Sequence, residues 1–494
     1  MTALSDLLAA GARVGGHYPW PCIAVTAAVW RQATACLADG SVTLLSLWGD
    51  TGRVHMALLS PDETPPIAVL SLDCPALRYP SVGASHPPAI RLERATRDLF
   101  GLEAEGALDD RPWLDHGRWG DETPLPYRFL PVEGEALHQI PVGPVHAGII
   151  EPGHFRFTAE GETVVRLEER LGYVHKGVDA LLSGAQLGRA ERIVARVSGD
   201  STVAYSLGFA RAVEAALDIA VPERAVWLRA VMAEMERLAN HFGDFGAICN
   251  DASFAIMLAH CAVLRERVLR AALACFGHRL MMDRIVPGGV TRDLDDAGVA
   301  MLLALVESLG ETFAPLVELY DKTASLQDRT VTTGILKPAL AAQFGAGGYV
   351  GRASGRGFDA RRSVGYAPYD RLAFTVPVRE DGDVNARAWI RVEEIRESLK
   401  LLEQLLTRLP DGPVLASLEN AFPGPGEGMA LVEAFRGDLL VWLRIVDGHV
   451  DRCHLRDASW FQWPLLEVVI EGNIVADFPL CNKSFNCSYS GHDL

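Results

Sequence analysis

Residues 235–251 read MERLANHFGDFGAICND, and they lie in the stretch that most clearly predicts a helical core. In the surrounding segment Arg224–Phe242, apolar residues recur three and four positions apart, the spacing of one face of an α-helix. Four more segments share this periodicity, which predicts a helical bundle as the core, and Arg391–Leu409 predicts one further helix. The four segments are Val174–Leu182, Ala190–Leu217, Phe254–Met282 and Asp296–Leu309.

Strand-like segments flank the predicted bundle on both sides. His154–Thr158 and Thr163–Leu167 are joined across a glycine-containing turn, which is typical of a hairpin. Towards the C-terminus, Asp438–Pro479 contains the strand-like runs LLVWLRIV and LEVVIEGNI. We therefore predict an α+β fold in which residues 140–494 form a helical bundle with flanking strands.

The first part of the chain predicts a separate α/β domain over residues 1–120. Ala3–Val14 and Arg91–Phe100 have helical spacing, and between them lie short apolar runs bounded by Gly, Asp and Pro. The polar stretch Glu105–Glu135 lacks periodicity, so we place a linker at residues 121–139. The predicted strands are Cys22–Trp30, Val42–Trp48, Val54–Leu59 and Ile67–Asp73.

The chain is acidic, with 63 acidic and 46 basic residues and a formal net charge of −17. Such a surface repels phosphate backbones, so no nucleic-acid partner is expected. Neither a signal peptide nor a run of about 18 apolar residues is evident, so we expect no spanning segment. The nine cysteines contain no CxxC pair, which fits reduced thiols in the cytoplasm and predicts no iron–sulfur cluster on this chain.

Residues 79–106, YPSVGASHPPAIRLERATRDLFGLEAEG, resemble the 30-kilodalton subunit of respiratory complex I. The resemblance implies that Leu99 and Phe100 pin a helix to a sheet and that Gly101 ends the helix. The matching residues are Glu93, Arg94, Asp98, Phe100, Gly101, Glu105 and Gly106.

From Ile140 onward the chain resembles the 49-kilodalton subunit of complex I and the large subunits of nickel–iron hydrogenases. The stretches that carry this likeness are IPVGPVHAGIIEPGHFRF, LEERLGYVHKGVDALL, MERLANHFGDFGAICND, the PGGV at Pro287–Val290, and GRASGRGFDARRSVGYAPYD from Gly351. Both regions in one chain match the fused large subunit of formate hydrogenlyase-type complexes. This implies a peripheral position on the cytoplasmic face of the membrane, with three kinds of partner: a small iron–sulfur subunit, a ferredoxin-like subunit and membrane-embedded subunits.

The nickel–iron ligands of the hydrogenase family are missing from this sequence. The family holds its metals with two CxxC pairs, because these soft metals require thiolates. The resemblance puts the first pair at Ser198 and Ser201, and the second at Ser488 and Gly491 in the final stretch SFNCSYSGHDL. We therefore expect no metal here, and we interpret Cys481 and Cys487 as buried reduced thiols.

The quinone site of complex I is also altered. The family's histidine-containing loop appears as GPVHAGIIE from Gly143, which keeps His146 but places Ile150 at the second histidine. The quinone-contacting tyrosine falls on Ala195. Ordinary ubiquinone reduction is therefore not indicated, although a quinone at an altered site is left open.

Several charged residues near the former metal position remain. Asp179, preceded by His175 and Lys176, matches a family carboxylate beside the metal, and with Asp200 these side chains suggest a proton relay. A structural ion pair explains them equally well. Two other sets predict a structural role: Glu236, Arg237, Asn240 and His241 as a buried network that fixes helix packing, and Arg361 and Arg362 as a basic pair near the pocket.

Three functions fit this combination, and active hydrogenase is rejected because the four thiolates are missing. The first is the core large subunit of an energy-coupling complex, which bears no cofactor and receives electrons from an iron–sulfur partner. The second is a reductase of a quinone or another acceptor, and the third is an inactive scaffold. We further expect the C-terminal tail to be buried and to enclose one cavity together with Ser198–Ser201, Asp179 and Arg361.

Overall fold

The computed structural model describes residues 3–114, 127–147, 150–417 and 425–494. Its α-helices are α1 Ala3–Ala9, α2 Ala27–Ala38, α3 Ile90–Phe100, α4 Val178–Leu182, α5 Leu187–Val194, α6 Thr202–Leu217, α7 Glu223–Asp251, α8 Ala255–Phe276, α9 Asp296–Lys322, α10 Ala324–Thr330, α11 Pro338–Gln343, α12 Gly348–Arg352, α13 Val384–Thr407, α14 Ser459–Val469 and α15 Phe478–Phe485. Its strands are β1 Ala12–Val14, β2 His17–Tyr18, β3 Cys22–Ala24, β4 Thr43–Asp50, β5 Arg53–Leu59, β6 Ile67–Asp73, β7 Arg78–Pro80, β8 Glu103–Glu105, β9 Leu137–Val142, β10 His154–Glu160, β11 Thr163–Arg170, β12 Ala185–Gln186, β13 Ile285–Val286, β14 Gly289–Val290, β15 Gly426–Ala434, β16 Gly437–Val446 and β17 His449–Arg456.

The N-terminal region is built on a five-stranded sheet with the order β1-β3-β6-β5-β4. Helix α3 packs on β4, and it ends at Gly101, whose φ of 65° is the left-handed conformation that glycine adopts without strain. The predicted pinning is confirmed, since Phe100 packs against Gly49 of β4.

The second region packs a helical bundle against a second five-stranded sheet, ordered β12-β17-β16-β15-β2. Helix α6 is buried almost all round and lies directly on β15 and β16. This close approach requires glycine at Gly428, where a Cβ would overlap the carbonyl oxygen of Ala212. Helices α7, α8, α9 and α13 pack on one another outside α6.

The two regions are joined by more than the chain between them. Strand β2 pairs with β15 of the second region, Arg444 lies 2.6 Å from Asp50, and Ser46 Oγ lies 2.8 Å from His454 Nε2. The predicted linker 121–139 lies partly outside the described residues, and its last three residues already belong to β9. The sheet pairing therefore crosses the boundary that composition suggested.

Several segments differ from the sequence prediction. Ala3–Val14 is helical only over Ala3–Ala9 and ends in strand β1, and Val174–Leu182 is helical only from Val178. Cys22–Trp30 forms a strand only to Ala24, because Thr26 caps α2 by accepting a hydrogen bond from the Val29 amide. The run LEVVIEGNI is the end of α14 and a turn, where burial of its apolar side chains overrides β-propensity. Ala190–Leu217 is not one helix but is broken between α5 and α6, at the site described below.

Helix α9 is the one described helix that is long and apolar enough to cross a membrane by length and composition alone, with a mean hydropathy of 1.5. The search for about 18 consecutive apolar residues did not find this helix, because Glu307 and Glu311 interrupt its apolar runs. Its buried stripe, which includes Leu309 and Phe313, packs in the bundle, but only 22% of the apolar stretch is buried.

Candidate functional site

The first former ligand segment lies in the break between α5 and α6. Ser198 precedes a 3₁₀ turn, Gly199–Ser201, that leads into α6. The Ser198 hydroxyl donates a hydrogen bond to the Asp200 carboxylate, and Ser201 is buried. Asn240 of α7 donates to the Asp200 carbonyl at 2.7 Å, so the bundle fixes this turn in place.

The C-terminal segment is buried along its whole length, as we expected. Residues 487–494 are buried, and the Ser488 hydroxyl accepts a hydrogen bond from the Gly491 amide at 2.9 Å. The Asp493 carboxylate accepts hydrogen bonds from the amides of Gly172 and Val174 at 2.8 and 3.3 Å. The tail is therefore held by backbone donors of the segment that follows β11.

Arg436 joins the two segments, and the sequence prediction missed it. Its guanidinium donates to Asp200 Oδ2 at 2.6 Å, to Ser201 Oγ at 3.2 Å and to the carbonyl of Asn486 at 2.6 Å. Arg436 lies in the turn between β15 and β16, and an arginine in a turn does not by itself indicate a functional role. The one available signal in the sequence was the loss of all four thiolate ligands, because a site without its metal has room for another cation such as a guanidinium.

The residues at this junction do not fit a nickel–iron centre. Three of the four ligand positions carry hydroxyls and the fourth carries no side chain, and a fixed guanidinium lies where the two segments meet. Burial raises the pKa of the neighbouring Cys481 thiol to about 12 and that of Cys487 well above its ordinary value, which disfavours the thiolates that metals bind. Within the described ranges, no group of three or more His, Cys, Asp or Glu side chains is placed to hold a metal ion.

The three residues proposed as a proton relay have separate partners. Asp179 pairs with Arg452 at 3.3 Å, and His175 Nδ1 lies 3.2 Å from the Asp493 carbonyl oxygen. Burial alone would raise the pKa of Asp200, but Arg436 and the Ser198 hydroxyl lower it to about 2. Such an aspartate stays ionised at neutral pH, which favours an anchoring role for Asp200, while the relay itself stays a prediction.

The single cavity expected here does not appear among the described cavities, where Asp179 and Asp200 lie apart. Asp179 lines a cavity of about 30 Å³ with Arg452 and Leu494 between the two regions. Asp200 lines another of about 20 Å³ with Glu236 and Asn240. Arg361 lies in neither, since its guanidinium is bound by Asp359 and Glu234 at 2.7 and 2.8 Å. Arg362 is exposed.

Glu236 is a buried acid beside the junction with a strongly raised pKa. Its carboxylate accepts hydrogen bonds from the amides of Val203 and Ala204 at 2.7 and 3.0 Å, at the start of α6. Burial raises its pKa to about 8, although these amides and Arg237 act in the opposite direction. The predicted buried network is thus confirmed, and one of its members titrates near neutrality.

The altered quinone positions are only partly described. His146 stacks on Phe155 with 5.4 Å between ring centroids, and its Nε2 lies 3.4 Å from the Tyr489 hydroxyl. Ile150 is exposed and Ala195 is buried. Residues 148 and 149, which lie between His146 and Ile150, fall outside the described residues.

Comparison with known proteins supports the likeness seen in the sequence. Residues 251–425 match the family model described as the respiratory-chain NADH dehydrogenase 49 Kd subunit. Formate hydrogenlyase subunit 5 of Escherichia coli (strain K12) is 30% identical over 447 residues, which is 86% of this chain and 78% of that protein. A carbon monoxide-induced hydrogenase of Rhodospirillum rubrum is 32% identical over 354 residues, which is 71% of this chain and 98% of that protein.

A solved structure shares the fold over most of the chain. It is a chain of the membrane-bound sulfane sulfur reductase, described as an archaeal respiratory membrane complex. The TM-score is 0.69 at 26% identity, and the match covers 74% of this chain and all of that one.

Proposed function

The chain belongs to the family that unites the complex I 49-kilodalton subunit with the large subunits of energy-converting hydrogenases, and from this premise we propose that it is the core large subunit of a membrane-associated oxidoreductase complex without a nickel–iron site. It would couple electron transfer from an iron–sulfur partner to a membrane module. The N-terminal region would serve as a fused counterpart of the 30-kilodalton subunit.

The observation that carries this proposal is the Arg436 bridge. A guanidinium bonded to Asp200, Ser201 and Asn486 gives the two former ligand segments the connection that a bound metal would otherwise provide. The fold of the family is thereby kept while the ligand chemistry is replaced. A chain that keeps this architecture retains the surfaces for its partners, which supports a role within a complex.

The partners proposed are those implied by the family: a small iron–sulfur subunit, a ferredoxin-like subunit and membrane-embedded subunits on the cytoplasmic side. Two of the relatives support this setting by name, one as a numbered subunit of formate hydrogenlyase and one as part of a respiratory membrane complex. No cofactor is assigned to this chain.

Reduction of a quinone at the former metal position is less well supported. The cavity beside Asp200 measures about 20 Å³, which is room for about one water molecule. Ligand pockets for organic molecules are typically at least about 300 Å³. A quinone would therefore enter only if the junction opened, and reduction of the complex by a quinone pool would test this.

The proposal is tested by purifying the tagged chain from gently solubilised membranes of its own host. We expect it to co-purify with iron–sulfur and membrane-embedded subunits and with no stoichiometric nickel. The chain expressed alone should be colourless. One nickel per chain would overturn the loss of the metal site, and recovery only as a lone soluble monomer would favour a scaffold.

A further inference from the structure

A closed cluster of buried charges lies between α7, α13 and the end of β15. It contains four carboxyl groups, three guanidinium groups and one imidazole, and each residue is at most 4% exposed. These residues are Glu234, Arg237 and His241 on α7, Arg352, Asp359 and Arg361 from the segment at 348–365, Glu394 on α13, and Glu433 on β15.

Ion pairs connect every member of this charge cluster. Arg352 is central, because its Nε lies 2.8 Å from Glu394 and its Nη1 lies 2.8 Å from Glu433 and 3.6 Å from Asp359. His241 Nε2 lies 2.7 Å from Glu394 Oε2. The remaining pairs are Arg361–Asp359, Arg361–Glu234, Arg237–Glu234 and Arg237–Glu394, at 2.7, 2.8, 3.4 and 3.6 Å.

The charges within the cluster do not balance. Four ionised carboxyls against three guanidiniums leave one excess negative charge, and an uncompensated buried charge costs several kcal/mol. Binding one proton removes this excess. Two groups are placed to take it: His241, beside Glu394, and Glu433, beside Asp359.

We propose that the charge cluster is a proton-binding site that holds one exchangeable proton in either of two positions, Glu433 or His241, with Arg352 between them. When His241 holds the proton, it neutralises Glu394 and leaves Arg352 to Glu433. When Glu433 holds it, Arg352 pairs with Glu394 and Asp359 only. Exchange with solvent makes and breaks only O–H and N–H bonds, so no redox partner is required.

The titration of both positions is set by the groups that face them. Burial and the Asp359 charge raise the pKa of Glu433 to about 7, whereas burial lowers the pKa of His241 against the influence of Glu394. Arg356 is partly exposed and is not ion-paired with Glu433. The facing groups are Arg237, Arg352, Arg356, Asp359, Tyr366 and Asp438 for Glu433, and Arg237, Tyr349, Arg391 and Glu394 for His241.

The cluster is mechanically connected to the candidate site. Arg237 donates hydrogen bonds to the carbonyls of Glu433 and Ala434 at 2.8 and 3.2 Å. The Phe435 ring packs against His241, with 6.1 Å between ring centroids. The Arg436 guanidinium lies 4.4 Å from the centroid of the Phe435 ring. A proton that moves in the cluster therefore acts within three residues of the Arg436 bridge.

This inference deepens the proposed function, since it supplies a proton position next to the junction. It is tested on the full-length chain by infrared difference spectroscopy between pH 6 and 8, in a Glu236→Gln background that removes an acid whose pKa of about 8 lies at the edge of that range. We expect the C=O band of protonated carboxyls to lose a component as pH rises through about 7, and Glu433→Gln to remove that component. The exposed control Glu318→Gln should leave the band unchanged.

The second variant tests the two-position character. In His241→Gln the proton has only Glu433 to occupy, so the band should be stronger at low pH. Its midpoint should move to lower pH, because the cluster loses one of its two proton-binding positions. A component with its midpoint near pH 7 that survives Glu433→Gln overturns the assignment, and an unchanged midpoint in His241→Gln overturns the sharing. If Glu433→Gln fails to fold, the His241→Gln midpoint still decides. Because the readout is protonation of the isolated chain, its failure is distinct from failure of nickel analysis or co-purification.

Discussion

Replacement of Glu236 by Gln should remove a specific part of the pH dependence of stability. Glu236 is 7% exposed, and burial raises its pKa from 4.5 to about 8. Below pH 4.5 the carboxyl is protonated in both the folded and the unfolded protein, so its contribution to stability is fully present there. As pH rises towards 8 the unfolded chain ionises first, and that contribution is lost.

The size of the effect follows from the difference between the two pKa values. At about 1.36 kcal/mol per pKa unit, the shift from 4.5 to about 8 corresponds to about 5 kcal/mol of unfolding free energy. Gln keeps the shape and one acceptor for the α6 amides but cannot ionise. The variant should therefore lose less stability than the wild type between these two pH values.

The assay is urea unfolding followed by tryptophan fluorescence at a series of pH values, with the exposed Glu318→Gln as the matched control. The stability of wild type minus that of Glu236→Gln should fall steadily with rising pH and level off above 8. Glu318→Gln should run parallel to the wild type. Parallel curves for Glu236→Gln as well would refute the raised pKa and the physical reasoning behind it.

Three further outcomes are expected. Arg436→Met leaves Asp200 without its cation and should lower the unfolding free energy by about 3 kcal/mol, measured by urea unfolding; a loss below about 1 kcal/mol would contradict the bridge. Gly428→Ala forces α6 away from β15 and should lower the unfolding free energy by at least about 2 kcal/mol. Gly448→Ala is the control, because it places a side chain at a positive φ in an open turn without any clash. Equal losses of unfolding free energy in the two variants would contradict the close approach. Cysteines placed at the four former ligand positions should bind no nickel, because a Cβ at Gly491 would lie 2.8 Å from the Tyr205 hydroxyl; elemental analysis checks this.

Much of the fold could be predicted because its signals are local. The hairpin of β10 and β11, the strands β4 to β6, and helices α7, α8 and α13 follow from periodicities within each segment. Where a segment is buried on several sides, as in α6 and the end of α14, its apolar residues do not mark one buried face. The secondary structure of such a segment is then set by the elements that pack around it. The break before α6 escaped prediction for this reason.

By itself the sequence determined the family resemblance and the loss of the metal ligands, since both depend on which residue type stands at Ser198, Ser201, Ser488 and Gly491. Only the tertiary structure decided what replaced the metal. Arg436 meets Asp200 across 236 residues of sequence, and Glu433 meets Arg352 across 81. Charge balance among buried groups is a property of such distant neighbours, because burial removes water as the alternative partner. A local sequence pattern does not show which carboxylate will pair with a given guanidinium once both are buried.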